Sequence, residues 1–203
     1  MAKRILSGSA HAPVLKKRNE AAFRSAQAEI LGLREQAAAG QIVLGYLDEA
    51  GFSAVHPNRS AWTKVGVQHL IPAIRGQRLN VLAALMSTGH LESTQFTGSM
   101  TSNTLIEFLY EIADKYTTSV TLIIDNASVH RSKKINEQMV LLEQKGVKLY
   151  FLPPYSPELN RIEKLWQQMK YVWMSVKCRT LDVLNQDVSH ILDNFGVNFK
   201  LTF

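Results

Sequence analysis

The spacing of apolar residues changes character along the chain. Between residues 14 and 38, Ala, Leu, Glu, Gln and Arg dominate, and Phe23, Ile30, Leu31 and Leu33 form a loose stripe at helical spacing. This predicts one helix, closed by Ala39-Gly40. Beyond it the apolar residues gather in short runs. Ile42-Val43-Leu44-Gly45-Tyr46-Leu47 is rich in strand formers and stops at Asp48-Glu49. Residues 52–66 are polar around Trp62 and are expected to hold a strand preceded by a loop. Leu79-Asn80-Val81-Leu82-Ala83-Ala84-Leu85-Met86 is a further buried run, Gly89-His90 a turn, and residues 91–96 alternate as a half-exposed strand does.

Helical spacing then returns. Leu105, Phe108, Leu109 and Ile112 share one face of a helix expected over residues 101–116. Val120-Thr121-Leu122-Ile123-Ile124 is the strongest strand and runs straight into Asp125-Asn126. A helix over 132–145 closes at Gly146, and a strand over 147–152 is stopped by Pro153-Pro154. Helices are expected over 160–176 and 181–195. Consecutive strands suggest antiparallel hairpins, and the later alternation suggests parallel crossovers. The expected fold class is α/β: a mixed five-stranded sheet with helices on both faces. Three segments are expected: an arm and helix over 1–40, the sheet-bearing domain over 41–178, and a C-terminal helix and tail over 179–203.

Composition narrows the possibilities. The 203 residues are 46% hydrophobic, enough for one real core. The single cysteine, Cys178, permits no internal disulfide and no Cys-based zinc site, and fits a reducing compartment. No run of 18 apolar residues is present, so no membrane partner is expected, and the N-terminus does not look like a signal peptide. The net charge of +6 suits a polyanionic partner. It is unevenly placed: residues 1–40 carry seven Lys or Arg against three Glu.

Three carboxylates sit where elements end. Asp48 closes the first strand, Asp125 follows the central one, and Glu163 lies in the first turn of the helix after the Pro-Pro loop. Adjacent strands bring their ends together, and a helix packed beside them can add a third group. Such a cluster repels itself unless a cation neutralises it. All-oxygen ligation favours Mg²⁺ or Mn²⁺, and a pair of such ions can activate water and stabilise the leaving oxygen of a phosphodiester.

Leu47-Asp48-Glu49-Ala50-Gly51-Phe52, Ile124-Asp125-Asn126-Ala127-Ser128-Val129-His130, and the block from Leu152 through Pro153-Pro154-Tyr155-Ser156-Pro157-Glu158-Leu159-Asn160-Arg161-Ile162-Glu163 to Trp166 occur in that order. Together they resemble transposases of the bacterial IS630 group, within the Tc1/mariner superfamily. The third block is the specific one. The resemblance implies a ribonuclease-H-like fold and metal-dependent cutting and joining of double-stranded DNA, both transposon ends and target. It assigns the catalytic carboxylates to Asp48, Asp125 and Glu163 with two Mg²⁺ ions, Mn²⁺ being able to substitute. It also implies a bacterial, cytoplasmic, nucleoid-associated protein. Two departures stand out. The 37 residues between Asp125 and Glu163 exceed the usual interval, and Arg161 stands where the family often has proline. The 40 residues before the first strand are too few for two helix-turn-helix units, which points to a separate helix-turn-helix chain as partner. A homodimer is the further expectation.

Each candidate has a plainer reading. Asp48 competes with Glu49, and strand alternation lets only one face the ions. Asp125-Asn126 is also good turn chemistry. Asn160 and Glu163 have capping-box spacing, so Glu163 could serve the Asn160 amide, and Glu158 is a rival ligand. Asn126, His130 and Asn160 are candidates for orienting the carboxylates or a water. Tyr155 and Trp166 are expected to pack. Arg59, Trp62 and Lys64 could contact DNA by charge and stacking, or line an ordinary solvated hairpin. A catalytically silent DNA-binding or assembly remnant of a split transposase is the alternative function. Cleavage of RNA in a hybrid is disfavoured by the Pro-Pro-Tyr-Ser-Pro block.

Overall fold

A long central strand organises the computed structural model, which describes residues 18–55, 77–174 and 179–202. This strand, β1 (Val43–Ser53), pairs antiparallel with β2 (Arg78–Met86), which pairs antiparallel with β3 (Leu91–Phe96). On its other side β1 runs parallel to β4 (Val120–Ile124), and β4 parallel to β5 (Val147–Phe151), giving the order β3-β2-β1-β4-β5. The α-helices among the described residues are α1 (Glu20–Ala38), α2 (Ser102–Lys115), α3 (Lys133–Gln144), α4 (Ile162–Gln168) and α5 (Leu181–Asp193).

Side-chain alternation along the strands divides the interior into two cores. Leu44, Tyr46, Ala50 and Phe52 of β1, Leu79, Val81 and Ala83 of β2 and Ile123 of β4 face α1, α4 and α5. Val43, Leu47, Leu82, Ala84, Met86, Val120, Leu122 and Ile124 face α2 and α3. Four of these helix starts have a local cause, and α4 starts without a side-chain cap. Asn19, Thr101, Ser132 and Thr180 accept first-turn amides at the heads of α1, α2, α3 and α5. The Ser132 hydroxyl also lies 2.8 Å from that of Ser102, tying α3 to α2.

Two elements depart from the pattern in the sequence. The first strand does not stop at Leu47; it continues through Asp48 and Glu49 to Ser53, because β2 supplies an antiparallel partner as far as Arg78. Pairing with β4 does stop, at Tyr46↔Ile123, so the last seven residues of β1 have a strand on one side only. Most of the strand expected over 52–66 lies outside the described residues. The single helix expected over 160–176 is instead the short α4 followed by a wider turn over Met169–Trp173, where the Met174 amide reaches back to the Met169 carbonyl (3.0 Å). No helix among the described residues is long and apolar enough to cross a membrane.

Candidate active site

The end of the β1–β4 pairing creates the cleft. Extending the register Val43↔Val120 to Tyr46↔Ile123 by two residues puts Asp48 beside Asp125. Both fall on the α4 side of the sheet, in step with Tyr46 and Ile123. Glu49 falls in step with Leu47, on the opposite face. A cavity of about 330 Å³ opens here, and Asp48, Asp125, Asn126, Asn160 and Glu163 all line it, together with the 152–157 loop. Glu49 and Glu158 do not. The Glu158 carboxylate pairs with Arg18 at 3.1 Å. A larger cavity of about 470 Å³ lies between α1, β1 and the C-terminal segment, but no carboxylate lines it.

Asp48 is mostly shielded from solvent, and burial, with Glu163 and Asp125 nearby, pushes its carboxyl up to about 7. The indole N–H of Trp166 donates to Asp48 Oδ2 at 3.1 Å and opposes that shift. Asp125 is held in the opposite sense. Its Oδ1 lies 2.6 Å from His130 Nδ1 and accepts the Ala127 amide at 3.1 Å, so its carboxyl is held below the usual range, chiefly by the histidine. The short helical turn Ser128–Arg131 folds His130 back under Asp125, where it is 3% exposed. The His130 Nε2 atom is buried without a hydrogen-bond partner among the described residues.

Glu163 sits in the first turn of α4, and its carboxyl is raised by burial, with Lys170 opposing and Asp125 reinforcing. The capping alternative does not fit the geometry. The Asn160 amide bonds the Pro157 carbonyl at 2.9 Å, leaving Glu163 nothing to cap there. Asn160 is itself buried and donates its side-chain amide to the Leu47 carbonyl (3.0 Å), pinning the start of α4 to the strand one residue before Asp48. Asn126 lines the cavity beside Asp125.

Some residues differ from expectation. Trp166 does pack, edge-on to Phe52 with centroids 6.2 Å apart, but it also bonds Asp48. Tyr155 does not pack. It is 66% exposed and holds φ of 60°, a left-handed conformation uncommon outside glycine, on the rim of the cavity. Lys170 escaped notice in the sequence. Two turns beyond Glu163, it lies with its Nζ 5.5 Å from the Phe52 ring centroid. Its ammonium is lowered by burial and Arg78, and is opposed by Glu163 and Asp48. The spacing of seven from Glu163 was the available clue. Arg59, Trp62 and Lys64 lie outside the described residues.

A family model described as DDE superfamily endonuclease matches residues 43–185, a span that contains all three carboxylates. The chain belongs to that family. Among related proteins, the insertion element IS630 uncharacterized 39 kDa protein of Shigella sonnei is 30% identical over 76 residues, 37% of this chain and 22% of that protein. The uncharacterized protein y4pE/y4sA of Sinorhizobium fredii is 41% identical over 54 residues, 27% of this chain and 36% of that one. The alignments thus cover about a fifth and a third of these relatives' lengths. Among solved structures, a mariner Mos1 paired-end complex with Mg superposes with a TM-score of 0.67 at 13% identity, over 98% of this chain and 62% of that one. The catalytic domain of Mos1 mariner transposase gives 0.59 at 13% identity, over 88% and 83%. The shared feature is the fold, a ribonuclease-H-like mixed sheet with flanking helices. This DDE-family chain therefore has the fold expected from its three sequence blocks, and over part of its length it is similar to an IS630-element protein.

As ligands for divalent cations, the donors of this DDE-family cleft are chemically suitable. They are hard carboxylate oxygens, and two of the three are raised by burial in a way that a cation would relieve. Among the described residues, no three His, Cys, Asp or Glu side chains close around a single point. Like charges line the cleft without converging.

Proposed function

We propose that this chain is the catalytic core of an IS630-type DNA transposase, which cleaves DNA strands and joins them to a target. Asp48, Asp125 and Glu163 hold two Mg²⁺ ions, or Mn²⁺ in their place. The observation carrying this reading is the strand register, which runs Asp48 up beside Asp125 on a cavity that Glu163 also lines. Mos1 structures that share the fold include complexes with Mg, with Mn and with transposon-end DNA.

Bound ions would supply an activated water, and later an activated 3′-hydroxyl, and would stabilise the departing 3′-oxygen. The chain's own residues do the positioning. Asp125 is kept ionised by His130 and the Ala127 amide. Glu163 enters from α4, whose start Asn160 fixes against β1. Asn126 lines the same wall, which supports a role for it in orienting a water. The DNA partners are transposon ends and target, and the working form is a homodimer.

Asp125→Asn is expected to abolish Mg²⁺-dependent nicking of supercoiled DNA, by roughly a thousandfold or more, in a variant that still folds but melts somewhat lower for want of the His130 contact. Full nicking by that variant would sink the assignment. Metal-independent DNA binding with no nicking by the parent chain would favour the silent remnant instead.

A further inference from the structure

The two aspartates of the cleft share a feature beyond their charge. Each carboxylate has one oxygen already engaged by a buried donor of the protein. On Asp125 it is Oδ1, taken by His130 and the Ala127 amide. On Asp48 it is Oδ2, taken by the Trp166 indole at 3.1 Å. Asp48 also feels the Glu49 backbone amide as a hydrogen-bond donor, and both aspartates line the cavity. An indole N–H is a donor only, so Trp166 cannot act as a ligand or move a proton in its own right. It can decide how the Asp48 carboxylate is turned.

The surroundings of Trp166 make it a firm donor. It is 3% exposed in the core under β1, its ring meets Phe52 edge-on, and it stands on α4 one turn after Glu163. One helical turn thus carries a candidate ligand and the donor that orients another. The Asn160 bond to the Leu47 carbonyl fixes this turn against the strand. Any shift of α4 would move Glu163 and the Asp48 rotamer together.

We propose that Trp166 is a positioning residue for Asp48: it holds Oδ2, fixes how the carboxylate is turned at the cavity wall, and thereby sets the site's affinity for divalent cations. This rests on the metal role proposed for Asp48. Partners that orient metal ligands in this way typically change metal affinity by about 10–100-fold when removed.

Trp166→Phe keeps the ring and its contact with Phe52 but removes the donor. In the full-length chain without DNA, Mn²⁺ is titrated and the rise in melting temperature is followed. Trp173→Phe serves as control, since Trp173 packs against Phe195 and Phe199 outside the cleft. The Mn²⁺ midpoint of Trp166→Phe is expected to rise about tenfold, while that of Trp173→Phe stays at the parent value. Nicking by Trp166→Phe should recover at high Mg²⁺, with the apparent KM for DNA unchanged. A lowered metal-free melting temperature with an unmoved Mn²⁺ midpoint would mean packing alone and would overturn the proposal. A parent chain insensitive to Mn²⁺ would overturn the metal role as well. Should Trp166→Phe fail to fold, Trp62→Phe/Trp173→Phe leaves Trp166 as the single fluorophore. Paramagnetic Mn²⁺ should then quench its emission, and Asp48→Asn should remove the quenching. Binding without quenching would count against the proposal.

Discussion

Asp48 and Asp125 stand side by side, yet their environments push them in opposite directions. Burial raises Asp48 to about 7, whereas His130 holds Asp125 below the ordinary carboxylate range. In the metal-free chain the stability linked to Asp48 is full below its ordinary value of 3.8 and is lost as pH rises through about 7. The contribution of Asp125 has the opposite sign: it is present above the ordinary value and lost as pH falls through the depressed one. Metal-free melting should therefore fall between about pH 4 and 7 and level off above, and Asp48→Asn should flatten that slope. Cation binding requires ionised ligands, so protons compete for Asp48 below about pH 7. The Mn²⁺ midpoint is expected to drop up to about tenfold per pH unit from 5.5 to 7 and to level off above. Thermal-shift titrations at several pH values measure this directly. A midpoint independent of pH would show that Asp48 does not take part in binding.

Among the elements, β1 bears the most constraint, because among the described residues it alone has an antiparallel strand on one side and a parallel one on the other. Gly45 lies in its doubly paired stretch. A Cβ there would come 2.5 Å from Leu122 Cδ2 and 2.8 Å from Met86 Sδ, one on each neighbouring strand. Gly45→Val should cost about 1–3 kcal/mol by overpacking. It should lower the urea midpoint without changing the unfolding slope, and an unchanged midpoint would show that Leu122 and Met86 simply move aside. Such crowding depends on strand order, which was not legible in the sequence. Other features were. The alternation of apolar runs marked all five strands of the sheet, and the end-of-strand position of Asp125 was legible from Val120-Thr121-Leu122-Ile123-Ile124 alone. The overrun of β1 was not, because Asp48-Glu49 looks like a strand terminus until β2 is known to pair beyond it. The indole bond to Asp48 was equally hidden, since it joins residues 118 apart. Local spacing carries information about one element, and contacts between distant elements need the assembled sheet.

At the scale of the whole molecule, charge and chemistry are separated. The candidate ligands sit in β1, just past β4 and on α4, while the excess of positive charge is concentrated in residues 1–40, which hold seven of the 23 Lys and Arg residues against three of the 17 acids. Residues 1–17 contain Lys3, Arg4, Lys16 and Lys17 and no acid. If the basic arm engages DNA, it does so through phosphates, and binding should be indifferent to sequence and steeply dependent on salt. Each phosphate neutralised releases counterions worth a slope of about 0.9 in a plot of log affinity against log salt. Deleting residues 1–17 should therefore reduce that slope by about 3–4. The Mn²⁺ midpoint should not change, because no ligand candidate lies in that segment. Fluorescence anisotropy on two unrelated duplexes over a range of salt concentrations separates the possibilities. An unchanged slope after deletion would locate the DNA contacts on the sheet-bearing part of the chain. A strong preference between the duplexes would show that this chain reads DNA sequence by itself.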